Sequence, residues 1–116
     1  MADLTIEKKK FDMKEFIAKF SELLKLKNID NNNFNKLQLA AEEYLNNILF
    51  PNFDGMAEIS ITNDDKELSL VFTHEGINYM NKITDNNFLS LKILDNKTKE
   101  IESNTADGIT SVKFIF

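Results

Sequence analysis

Few residues in this sequence can do chemistry. Glu43 and Asn47 stand four apart in the run Leu39-Ala40-Ala41-Glu42-Glu43-Tyr44-Leu45-Asn46-Asn47. On a helix that spacing makes them neighbours on one face. A carboxylate beside an amide can hold a water for proton abstraction and a hydrated Mg²⁺, both of which take oxygen ligands. The same spacing also describes an exposed polar flank. His74-Glu75-Gly76 follows an apolar run, at the point where a chain leaves a sheet and ligand-binding residues often sit. A lone His in such a place is more often a packed or surface side chain than a catalyst. Thr110 and Ser111 follow Gly108 and, by themselves, are ordinary strand residues.

Composition excludes several other chemistries. The 116 residues are 42% hydrophobic and include ten Phe, enough for a single domain, 1–116, with a core that needs neither disulfides nor metal. Cys is absent and His occurs once, which excludes thiol catalysis, disulfides, Cys-based zinc sites and any multi-His centre. All 14 basic residues are Lys. The net charge of −5 argues against nucleic acid or an anionic membrane as the main partner. Only three glycines occur, Gly55, Gly76 and Gly108. Glycine-rich phosphate loops, which need several close together, are therefore excluded. No apolar run approaches the roughly 20 residues that span a bilayer, and residues 1–10 lack the apolar stretch of a signal peptide. The expectation is a soluble, cytoplasmic protein.

The elements that must position these residues read as follows. Leu4 to Ile6 form a first strand. Asp12 caps a helix, with Glu15 completing a capping box and Phe11 and Phe16 forming a hydrophobic staple. Met13, Phe16, Ile17, Phe20, Leu23 and Leu24 share one face of this helix, which ends near Asn28. Asp30 to Asn33 reads as a polar loop. A second helix, about Phe34 to Phe50, buries Leu37, Ala41, Tyr44, Leu45 and Ile48, and Pro51 stops it. Two alternating runs, Ala57-Ile59-Ile61 and Leu68-Leu70-Phe72, flank a turn at Asn63 to Asp65. An irregular stretch, Thr73 to Asn87, precedes a third helix over about Phe88 to Asp95. Two last strands, around Lys99 to Glu102 and Ile109 to Phe116, flank a turn with Asp107 and Gly108. The order β-α-α-β-β-loop-α-β-β predicts a two-layer α+β sandwich.

Taken in order, these signals resemble one family. The run Leu39 to Asn47 is similar to the N-box of the GHKL (histidine-kinase-like) ATPase superfamily, and more narrowly to its anti-sigma-factor serine/threonine kinases. His74-Glu75-Gly76 falls where that family has an Asp-x-Gly box, and Gly108-Ile109-Thr110-Ser111-Val112 resembles its Gly-Gly-Thr-x-Val strand. The resemblance implies a mixed, mostly antiparallel sheet covered on one face by helices, with ATP and Mg²⁺ between. It implies Glu43 as the general base, Asn47 as the Mg²⁺ ligand, His74 and Gly76 against the adenine, and Thr110 near it. Phosphoryl transfer in such a site is largely positioning and charge neutralisation. The implied partners are a sigma factor or an anti-anti-sigma factor, with a possible homodimer through the first strand and first helix.

The departures from the family pattern are specific. His74 replaces the Asp that hydrogen-bonds the adenine amino group. Asn78 and Tyr79 stand where a second Gly and an aromatic are usual. Asn86, Asn87 and Phe88 occupy the place of a Gly-x-Gly lid motif, and the loop from Gly76 to Phe88 is short. There is no Arg for a bidentate phosphate clamp, and Lys82 and Lys92 are the nearby cations. Three readings follow: a degenerate, protein-binding member of the family; an active Mg-ATP-dependent kinase; and an unrelated small α+β interaction protein.

Overall fold

The structure is a computed structural model that describes residues 2–82, 84–85 and 87–116. Its elements are β1 (Leu4–Glu7), α1 (Met13–Leu26), α2 (Asn31–Glu43), β2 (Met56–Asn63), β3 (Leu68–Glu75), α3 (Phe88–Lys97), β4 (Glu100–Ala106) and β5 (Ile109–Ile115). The five strands form one sheet in the order β1-β2-β3-β5-β4, and every neighbouring pair is antiparallel. The expected α+β sandwich is thus present, and no parallel pair occurs among the described strands.

The alternation in the sequence explains which face is covered. Ala57, Ile59 and Ile61 on β2, Leu70 and Phe72 on β3, and Val112 and Phe114 on β5 are all buried. Successive strand residues point to opposite faces, so these share the face that meets the helices. From the helices come Phe16, Phe20, Leu24, Leu37, Ala41, Tyr44, Leu45 and Ile48, in one continuous core with the sheet residues. Full burial of a Phe such as Phe72 contributes about 2 kcal/mol. On the opposite face Glu58, Ser60, Val71, Thr73, Ser111 and Lys113 are exposed or half-buried.

Local chemistry sets the helix ends. Asp12 accepts a hydrogen bond from the Lys14 amide (2.9 Å) and caps α1, and the Phe11 and Phe16 rings lie 5.9 Å apart as a staple. Glu15 does not complete a capping box; it pairs with Lys19 at 2.9 Å. At the other end Asn28 takes φ 58°, with Ile29 N–H bonded to Leu24 O and Asn28 N–H to Lys25 O. This is the left-handed stop that Asn tolerates better than other side chains. The expected loop at Asp30 to Asn33 is instead a helix start: Asp30 accepts from the Asn33 amide (2.9 Å) and α2 begins at Asn31. Helix α3 runs two residues past the expected Asp95, to Lys97, and β4 extends to Ala106 rather than ending at Glu102.

Candidate functional site

The second helix changes pitch where the N-box-like residues lie. After Glu43 it widens into a π-helical turn, Tyr44–Leu49, closed by Phe50 N–H to Leu45 O at 3.0 Å. Such turns insert a residue and often occur at functional sites. The wider turn lets Tyr44 and Leu45, and then Ile48, Leu49 and Phe50, all reach the core. Glu43 and Asn47 stay on the flank, Glu43 half-buried and Asn47 exposed. Asn47 Nδ2 donates to Glu43 Oε2 at 2.9 Å, and Asn46 Nδ2 lies 3.5 Å from Asn47 Oδ1. The neighbouring Glu42 carboxyl titrates above its ordinary value, first through burial and then through the Glu43 charge.

His74, Gly76 and Thr110 are brought together by the β3–β5 register, which sets His74 opposite Thr110. Thr110 Oγ1 donates to Gly76 O (2.6 Å), so its partner Thr105 Oγ1, at 2.7 Å, is the donor to Thr110. Gly76 N–H donates to Gly108 O (2.8 Å), and Gly76 has φ 98°, a conformation glycine adopts without strain.

His74 is 3% exposed, and its surroundings define its state. Nδ1 lies 2.8 Å from Glu75 O. A carbonyl only accepts, so Nδ1 carries a proton, and in the neutral imidazole Nε2 is then the acceptor. Facing Nε2 at 3.4 Å is the Tyr44 hydroxyl, which therefore donates to it. Burial pushes the Tyr44 phenol pKa well above its ordinary value, with Tyr79 adding to the effect, so the hydroxyl keeps its proton. The rings of Phe53 (4.9 Å) and Tyr79 (6.1 Å) lie beside the imidazole. Gly55 makes room for Phe53: a Cβ there would come within 2.6 Å of its ring.

The structure therefore forms two groups. His74, Gly76 and Thr110 share one hydrogen-bonded corner at the end of the sheet. Glu43 and Asn47 form a separate pair on the helix flank. Tyr44 links the two along the chain, pointing inward to His74 and packing on Phe72 (4.7 Å) and Phe114 (5.6 Å). In sequence Tyr44 belongs to the apolar arc of its helix. Its link to His74 spans 30 residues, and no local pattern carries it.

The rings of Tyr44, Phe72 and Phe114 thus fill part of the layer between helix and sheet. A cavity of about 450 Å³ does open beside His74, but its walls include Asp54, Glu58 and Glu75, and Glu43, Asn47, Gly76 and Thr110 do not line it. Three carboxylates disfavour a polyphosphate there. Among the described residues no group of three or more His, Asp or Glu is placed to hold a metal ion.

The loop after Gly76 is tied down by side chains. Asn78 Nδ2 donates to Ser103 Oγ (2.7 Å), Asn78 Oδ1 accepts from the Met80 amide (2.9 Å), and Tyr79 O–H donates to Asn52 O (3.0 Å). Asn87 is buried; its Oδ1 accepts from the Thr84 amide and its Nδ2 donates to Lys82 O, both at 2.8 Å. Asn86 lies outside the described residues. Lys92 Nζ sits 4.9 Å from the centre of the Phe88 ring. No helix among the described residues is long and apolar enough to cross a membrane. No protein-family model matches this chain, and no curated protein matches its sequence significantly.

Proposed function

We propose that this protein is a regulatory, protein-binding module of the anti-sigma-factor type, a degenerate relative of the histidine-kinase-like ATPases whose nucleotide site is closed by its own side chains. It acts by partner switching, with a sigma factor or an anti-anti-sigma factor as the partner. The element order and the placing of His74, Gly76 and Thr110 in one corner support the kinship. The observation that carries the loss of nucleotide is His74: both ring nitrogens are engaged inside the protein, by Glu75 O and by the Tyr44 hydroxyl. An adenine would have to displace one of these bonds, and the cavity beside His74 is walled by Asp54, Glu58 and Glu75.

A ligand that binds only the native state raises its melting temperature by mass action. Titration with millimolar Mg-ATP is expected to leave the melting temperature unchanged. A saturable rise that requires Mg²⁺ overturns the proposal and favours the second reading, an active serine/threonine kinase acting on an anti-anti-sigma partner. One observation favours that alternative: Glu43 and Asn47 are in contact at 2.9 Å on an accessible flank. In that case Asn47→Ala removes the Mg²⁺ dependence.

A further inference from the structure

β4 is the edge of the sheet, and β5 is its one strand partner among the described residues. The two strands are joined by a two-residue turn, Asp107-Gly108, with φ 54° and 76°. Such a turn makes the flanking residues, Ala106 and Ile109, a hydrogen-bonded pair. Counting back by twos, Glu102 and Asn104 also aim their backbones at β5. Ile101, Ser103 and Thr105 aim theirs at the open edge. Among the described residues none of these three backbones bonds to a neighbouring element. A row of free donors and acceptors of this length is a template for another strand.

We infer that this edge pairs with the same edge of a second copy, antiparallel, about a twofold axis through Ser103. In that register Ser103 faces its own copy and Ile101 faces Thr105 of the other chain. All three outward-pointing backbones of each copy then meet outward-pointing partners, giving about six interchain hydrogen bonds. The charges are compatible with this register. Glu102 lies opposite Asn104 of the other copy and Glu100 opposite Ala106, so no carboxylate directly opposes another. Moving the axis to Glu102 sets Glu102 against itself, which is destabilising, and moving it to Asn104 sets Ile101 against Asp107 of the turn, so fewer outward backbones are paired. On the helix side the pairing adds a second copy beside Phe88, which is 51% exposed and lines a cleft with Ile101 and Ser103. A C2 interface of this kind is self-complementary by construction. It lies at the far edge of the sheet from the first strand and first helix, where the family resemblance would put a dimer.

Sedimentation of the full chain over a concentration series tests this. A monomer–dimer equilibrium is expected. Asn104→Glu places a carboxylate opposite Glu102 twice per dimer and is expected to weaken association roughly tenfold, whereas Asn104→Lys tightens it. Position 104 is exposed, and effects of opposite sign cannot both come from misfolding. Ser103→Pro removes an outward N–H that β5 does not use, and is expected to abolish the dimer while leaving the circular dichroism spectrum intact. A chain that stays monomeric at its highest soluble concentration overturns the inference, as does a dimer indifferent to all three substitutions.

Discussion

Tyr44→Phe tests whether the corner around His74 is held by the bond that closes it. Tyr44 is fully buried, with its ring against Phe72 and Phe114 and its hydroxyl 3.4 Å from His74 Nε2. Phe keeps the ring packing and deletes only the hydroxyl. The Nδ1 proton of His74 is already given to Glu75 O, so Nε2 loses its donor inside the protein. An unsatisfied buried acceptor costs about 1–3 kcal/mol. At 3.4 Å the lost bond is long, which sets the loss near the lower end, about 1 kcal/mol. For a chain of this size that lowers the melting temperature by roughly 4 °C. Tyr44→Ala also opens a cavity and is expected to cost about 3–5 kcal/mol. Urea denaturation followed by circular dichroism suits a chain without Trp, and an unchanged m value keeps the comparison valid. If Tyr44→Phe matches the parent within a few tenths of a kcal/mol, His74 does not depend on Tyr44. If it costs as much as Tyr44→Ala, the division between hydroxyl and ring is wrong.

Two further outcomes follow from side chains that tie distant segments. Asp3 accepts from the Ile61 amide (2.8 Å) and pairs with Lys27 (3.1 Å). Burial raises its pKa, but the Ile61 bond and the Lys27 charge outweigh burial and hold it below the ordinary value of 3.8. The folded pKa thus lies below the unfolded one, so this stabilisation is full above 3.8 and is lost as the pH falls through the lower folded value. Melting temperatures measured from about pH 6 to about pH 3 should show Asp3→Asn reducing that acid loss; an unaltered slope removes Asp3 from the account. Asn87→Ala breaks two 2.8 Å bonds in the loop before α3 and is expected to cost about 2 kcal/mol. Trypsin should then cut after Lys82 faster than in the parent, and equal cleavage would show that Asn87 does not hold the loop.

Much of the fold is legible in the sequence because the forces that make it act over a few residues. Alternation at Ala57-Ile59-Ile61 and Leu68-Leu70-Phe72 selects strands with one buried face, Asp12 and Phe11 mark the start of α1, Pro51 ends the second helix, and Asp107-Gly108 makes a hairpin. The Glu43–Asn47 contact follows from helical spacing in the same way. Other features depend on what distant segments present to one another. Beyond Glu102 the polar strand β4 carries no apolar alternation, and its pairing with β5 carries it on to Ala106. The π turn at Tyr44–Leu49 depends on which side chains the sheet accepts beneath it. The state of His74 is the clearest case. In sequence it is one imidazole at the end of an apolar run, open to a ligand. Its own backbone supplies one partner, and the packing of the second helix over β3 supplies the other from 30 residues away. Residue type and spacing determined where such a site would lie. Tertiary packing decided that its hydrogen bonds are made within the protein, because a buried polar atom takes whichever partner the fold brings within reach.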